Sequence, residues 1–394
     1  MTLTRRDLFR SVGAAAGVAV FAPRARGAQA ARGAAPPQAA QTPPPAPPYV
    51  PRDFTPGALP VSYPDPDIVT LDPGFNGLRV NNTSIQRLWT GGLWCEGPAW
   101  SGEGRYLVWS DIPNNRQLRW LEDDGRVTVF RMPSNNSNGN AFDYQGRQIS
   151  CEHGMRRIVR YELDGSITVL ADRFNGMRLN SPNDCAPHPD GSIWFTDPPF
   201  GGSLYEGAVD PAGGPGNQAG RVNSRVGQAL GFGETKRELT TSNVYRVDAN
   251  GKLEMAISQE VLGGAPNGIA FSPDQKKVYV VATGVVVAFD LGSDNKVSNR
   301  KPVSDFMIDG IRCGPDGVRV DVNGNLWCPS NAGRNIGYSG VTVWSPDGKA
   351  LGRIRLPEAC ANLAFGGPKR NRLFMTASQS LYAVYVNTQG ASPG

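Results

Sequence analysis

The sequence predicts an all-β chain folded as a six-bladed β-propeller with four-stranded blades. Three observations carry that expectation: a hairpin that recurs along the chain, a second hairpin of the same style in the intervals, and a polar residue held in register before each copy. The first hairpin runs Ala99–Trp109, then Ala141–Cys151, Ala186–Thr196, Ala270–Val280, Val318–Cys328 and Ala364–Met375. Its turns centre on residues 104, 146, 191, 275, 324 and 369, which are 42, 45, 84, 49 and 45 residues apart. Tight Asp-Gly and Asn-Gly turns between alternating or β-branched runs signal hairpins. The second hairpins are Leu118–Phe130, Val159–Leu170, Val244–Ile257 and Val341–Ile354. Two hairpins make a four-stranded unit, and units of roughly 40–50 residues are propeller blades. A β-sandwich or a pair of small barrels is the competing arrangement, and the even spacing argues against it.

The doubled interval of 84 residues holds a Gly-rich stretch, residues 201–240, read as an insertion that is either a lid or a surface loop. Ring closure is expected from the strand Ile85–Trp89, completing a last blade begun by Leu373–Met375 and Leu381–Val386. A propeller closed in this way exposes no long sheet edge.

The flanks read differently. Residues 1–30 carry the pair Arg5-Arg6 and the short apolar run Val12–Ala22, then the small-residue pattern Ala28-Gln29-Ala30. That is the pattern of a twin-arginine export signal, too short for a permanent membrane span. It predicts the twin-arginine export machinery as a partner, a periplasmic or secreted destination and no membrane attachment after cleavage. Residues 31–60 are Pro- and Ala-rich and read as an extended linker, leaving 61–394 for the propeller. The chain's formal charge is +5, but residues 1–30 hold five Arg and one Asp, so only about +1 remains beyond them. No basic run suited to phosphates is left, which argues against nucleic acid as a partner. Six cysteines allow several pairings or none.

Counting back eight residues from the first five turns reaches Glu96, Asn138, Asn183, Asn267 and Asp316; counting back seven from the last reaches Asn362. Each precedes the innermost strand of its blade, so all six are expected to face one central opening. Two carboxylates and four carboxamides form an oxygen-only set that suits one hard divalent cation, Ca²⁺ first, with Mg²⁺, Mn²⁺ or Zn²⁺ as alternatives. Two acids facing one axis would repel each other without a cation between them. The bland alternative is that the Asn-Gly and Asp-Gly pairs are simple turn formers, although Glu96 is not one.

The motifs Glu96-Gly97-Pro98-Ala99-Trp100, Trp109-Ser110-Asp111-Ile112-Pro113, Ser137-Asn138-Gly139, Ser181-Pro182-Asn183-Asp184, Trp194-Phe195-Thr196-Asp197-Pro198, Pro266-Asn267-Gly268-Ile269-Ala270-Phe271 and Gly314-Pro315-Asp316-Gly317 occur in that order. Together they resemble the SMP-30/gluconolactonase/regucalcin-like family of propeller lactonases. The resemblance implies that Glu96, Asn267 and Asp316 bind a divalent metal, that Asn183 joins them or faces substrate, and that Asp316 is the general base. It also implies that Asp184 meets a substrate hydroxyl, with Asn138 on the substrate side. Regucalcin-type members carry an Arg two residues before the Asn matching Asn183; Ser181 stands there in this chain, and Arg178 is the candidate replacement. His153 is read as a substrate contact or proton relay at the rim, or as a hydrogen-bonded structural residue, and Trp94, Trp109 and Phe200 as candidate pocket walls.

The implied activity is metal-dependent hydrolysis of a small sugar lactone or related cyclic ester. Hydrolysis of aryl esters or phosphotriesters on the same scaffold is one alternative, and a non-catalytic periplasmic binding propeller is another.

Overall fold

Local turn chemistry builds the blades. The computed structural model describes residues 45–203 and 237–392. Glycines with positive φ sit at the tips of the hairpins, among them Gly125, Gly165, Gly251 and Gly348, so the chain reverses where the turns were expected. Between the tips, runs with one buried face pair antiparallel.

Four consecutive strands form blade one (Cys95–Ser101, Tyr106–Asp111, Arg116–Leu121, Val127–Arg131) and blade two (Ser137–Phe142, Gln148–Glu152, Arg157–Tyr161, Ile167–Ala171). Blade three is Cys185–Pro187, Ile193–Thr196, Val244–Val247 and Leu253–Ile257; blade four is Pro266–Phe271, Lys277–Ala282, Val285–Leu291 and Val297–Pro302. Blade five comprises Arg319–Val320, Leu326–Ser330, Gly340–Trp344 and Ala350–Arg355, with Ile68–Thr70 added outside as a fifth strand. Blade six takes Cys360–Gly366, Arg372–Ala377 and Ser380–Tyr385 from the end of the chain. Its outer strand is Gln86–Thr90, paired antiparallel with Ser380–Tyr385, so the ring closes with the strand the sequence pointed to.

The cores lie between blades. Each buried apolar cluster joins one blade to the next: Trp100 and Trp120 with Phe374 across blades one and six, Trp194 with Phe271 across three and four, Trp327 with Phe365 across five and six. Trp109, a candidate pocket wall, belongs to this packing. It is fully buried, with its ring 5.6 Å from that of Trp89, because strand alternation turns it to the side of the blade rather than to the axis. All six cysteines are buried and unpaired as thiols.

Residues 45–60 run without helix or strand, and the Pro47 carbonyl accepts from Arg355 Nη1 at 2.7 Å. The proposed signal, residues 1–30, and most of the insertion lie outside the described residues. On the axis beyond the polar ring, a cavity of about 50 Å³ is lined by the innermost strands of all six blades and by Gly390 and Ser392. The C-terminal segment crosses there, with Ala391 N donating to the Val320 carbonyl at 2.9 Å.

Candidate functional site at the propeller axis

The ring is assembled by a defect repeated in the innermost strands. Pairing with the second strand slips between Glu96 and Ala99, Ser137 and Asn140, Pro266 and Ile269, and Cys360 and Asn362. An extra residue at a bulge bends the strand and re-aims a side chain, here the ring residue. Four ring residues are followed by glycine, and the structure supplies the reason. A Cβ on Gly139 would lie 2.4 Å from the Asn183 carbonyl oxygen, and one on Gly268 would lie 2.7 Å from that of Asp316. Each of those glycines donates its N–H to the same carbonyl, at 2.7 and 2.9 Å. The Asn-Gly and Asp-Gly pairs are therefore points where adjacent blades meet, not turns.

Direct bonds join the ring side chains. Asn138 Nδ2 donates to Asn183 Oδ1, Asn183 Nδ2 to Asn267 Oδ1 at 2.6 Å, and Asn362 Nδ2 to Glu96 Oε2 at 3.1 Å. Asp316 accepts from Asn267. Glu96, Asn138, Asn183 and Asn362 are buried, whereas Asn267 and Asp316 keep partial contact with solvent. All six predicted ring positions come together.

The electrostatics of the ring are set by its two acids. Burial, and then the charge of Asp316, push the Glu96 carboxyl well above the usual carboxylate range. Loss of solvation raises Asp316 to about 7, against the hydrogen bond from Asn267 and with help from Asp184. Neither acid forms an ion pair with Lys or Arg among the described residues, and Asn138 Oδ1 is buried with no hydrogen-bond partner. Two unneutralised acids and an orphaned amide oxygen fit a hard divalent cation held by oxygen donors.

The remaining predicted residues occupy different places. His153 is buried, with Nε2 3.5 Å from Asn138 Nδ2; burial lowers its pKa to about 3, opposed by the Pro182 carbonyl, so it stands beside the ring as a neutral imidazole. Asp184 is buried and forms an ion pair with Arg319, Nη1 to Oδ2 at 3.0 Å. Arg178 lies in the short hairpin Arg173–Phe174/Met177–Arg178, where its Nη2 donates to the Met155 carbonyl at 2.9 Å. Among the described residues it makes no contact with the ring. Ser181, where the family pattern has Arg, donates its hydroxyl to the Pro198 carbonyl at 2.7 Å. Sequence reasoning missed Arg319, whose only local signal is its position three residues after Asp316, and Asp197, buried behind Asn180 and Ser181.

Six blades around an axial ring of acids and amides define a propeller with its polar site at the centre of one face. The SMP-30/gluconolactonase/LRE-like family model matches residues 94–379, well over half of the chain, and the chain belongs to that family. It is 27% identical over 348 residues to the gluconolactonase of Zymomonas mobilis, covering 82% of this chain and 87% of that protein. To the 6-deoxy-6-sulfogluconolactonase of Pseudomonas putida it is 26% identical over 287 residues, 72% of this chain and 83% of the other. Among solved structures, a gluconolactonase of Xanthomonas campestris is 33% identical with a TM-score of 0.66, over 87% of this chain and 99% of that one.

Proposed function

We propose that the chain is a divalent-cation-dependent lactonase that opens a sugar lactone or a related cyclic ester, with Ca²⁺ as its cation. The observation that carries this reading is the pair Glu96 and Asp316, facing one axis with no basic partner among the described residues. The lactonases among its relatives support the reaction class.

Glu96, Asn183, Asn267 and Asp316 are the residues that would hold the cation, leaving Asn138 and His153 toward substrate. A bound cation supplies polarisation of the lactone carbonyl and stabilises the charge that develops on its oxygen. Asp316, which keeps partial contact with solvent, is the residue read as taking a proton from the attacking water. Asn267, by donating to Asp316, holds that carboxylate in one orientation. His153 is neutral and serves as a hydrogen-bonding group rather than as a charge.

The test is acid release from δ-gluconolactone by purified protein before and after chelation. Chelation is expected to abolish turnover and added Ca²⁺ to restore it. Asp316→Asn is expected to lower kcat about a thousandfold, within the range for loss of a general base and a charged ligand. Turnover untouched by chelator would refute cation dependence. A cation that binds tightly while lactones, aryl esters and phosphotriesters all remain intact would instead identify a binding propeller. For localisation, we read Arg5-Arg6 and the apolar run after it as export through the twin-arginine route to the periplasm.

A further inference from the structure

We infer that Arg319 is a positioning residue that pins Asp184 and cancels its charge, so that the axis presents two carboxylates to a divalent cation instead of three. The inference rests on the reading of the ring as a cation site.

Asp184 stands where blades one, two, four and five carry a glycine, directly after its ring residue. Its carboxylate lies where blades two and three meet, with Oδ1 2.9 Å from the point a Cβ on Gly139 would occupy. Arg319 approaches both oxygens, Nη1 at 3.0 Å from Oδ2 and Nη2 at 3.3 Å from Oδ1. Oδ1 also accepts from Cys185 N at 2.9 Å.

Arg319 is fixed in turn by its own blade, with Nη1 donating to the Val318 carbonyl at 2.8 Å. It lines the axial cavity beyond the ring among Pro98, Ala186, Ile269 and Ala364. A guanidinium matches a carboxylate in this two-point geometry in a way an ammonium cannot. In a cavity otherwise lined largely by apolar groups, either charge left alone would be strongly unfavourable. The pair joins blade three to blade five, passing over blade four on the axial side.

The experiment is titration calorimetry of chelator-treated full-length protein with CaCl₂, using wild type, Arg319→Met, Asp184→Asn and the double variant. Arg319→Met leaves Asp184 uncancelled, so Ca²⁺ is expected to bind about tenfold more tightly, and the metal-free protein to melt below wild type. Asp184→Asn leaves the guanidinium uncancelled and is expected to weaken binding about tenfold. The double variant removes both charges and is expected to return to within about threefold of wild type, the signature of a coupled pair. Unchanged or weaker binding by folded Arg319→Met overturns the inference, as does a double variant no closer to wild type than the single ones. Should Arg319→Met fail to fold, Asp184→Asn and the double variant decide by the same criteria. A wild-type protein that binds no divalent cation overturns both this inference and the cation reading. One that binds Ca²⁺ while Arg319→Met matches it overturns only the role given to Arg319.

Discussion

Asp197 illustrates what one buried residue can impose on a protein. It follows the second strand of blade three, fully buried; Oδ2 accepts from Asn180 N at 2.8 Å, while Oδ1 has no hydrogen-bond partner. Burial lifts its pKa to about 7, against the backbone hydrogen bonds of Asn180 and Ser181 and the charges of Arg156 and Arg237. A carboxyl whose folded pKa lies above its unfolded value favours folding while it is protonated. That contribution is complete below about pH 4 and is lost as pH rises through 7. A shift of about 3 pH units corresponds to about 4 kcal/mol at most. Thermal melts from pH 4 to 8 at fixed Ca²⁺ are expected to show a shallower decline for Asp197→Asn than for wild type; parallel curves would remove Asp197 from the account. The residue was quoted in a family motif, but its burial was not readable there, since nothing local says which loops cover it.

Elements differ in how they are joined. Five of the six blade interfaces are packed with aromatic and aliphatic side chains, whereas the cluster between blades one and two is reduced to Ala99, Val108 and Phe142. Polar groups fill the difference. Gln117 Nε2 donates to Ser137 Oγ at 3.1 Å, Asn140 Oδ1 at 3.0 Å and Ser150 Oγ at 3.1 Å, and its Oε1 accepts from Gln148 Nε2 at 3.1 Å. Asn140 Nδ2 continues to the Gly97 carbonyl at 2.9 Å, one residue from Glu96. A satisfied buried network specifies one arrangement, and removing its hub strands several polar groups at once. Gln117→Ala is therefore expected to cost about 2–4 kcal/mol in denaturant unfolding. A cost below about 0.5 kcal/mol would mean water replaces the glutamine freely. The blade contacts at the ring are equally intolerant. Gly139→Ala drives a methyl onto the backbone of Asn183, and about 1–3 kcal/mol of destabilisation is expected together with weaker Ca²⁺ binding. A variant that melts and binds like wild type would show that the ring does not depend on this close approach.

At the scale of the molecule, the strands before blade one and the segment after blade six hold the ring shut. Gln86–Thr90 completes blade six, Ile68–Thr70 extends blade five, and the C-terminal Ala391 bonds to blade five beside the axial cavity. Replacing Arg5 and Arg6 by Lys is expected to leave a precursor of unprocessed length in the cytoplasm, read by cell fractionation and immunoblot; normal periplasmic delivery of that variant would exclude the twin-arginine route.

The sequence by itself determined the six repeats, the closing strand and the six ring positions. These depend on short-range properties, turn residues at the tips and alternation between them, repeated in register six times. Only the tertiary structure decided what lies between blades. The Arg319–Asp184 pair joins residues 135 positions apart, Ile68–Thr70 pairs with Gly352–Ile354, and Trp109 faces a neighbouring blade. Such contacts arise from the angle at which blades meet, a geometry that periodicity along one strand does not encode.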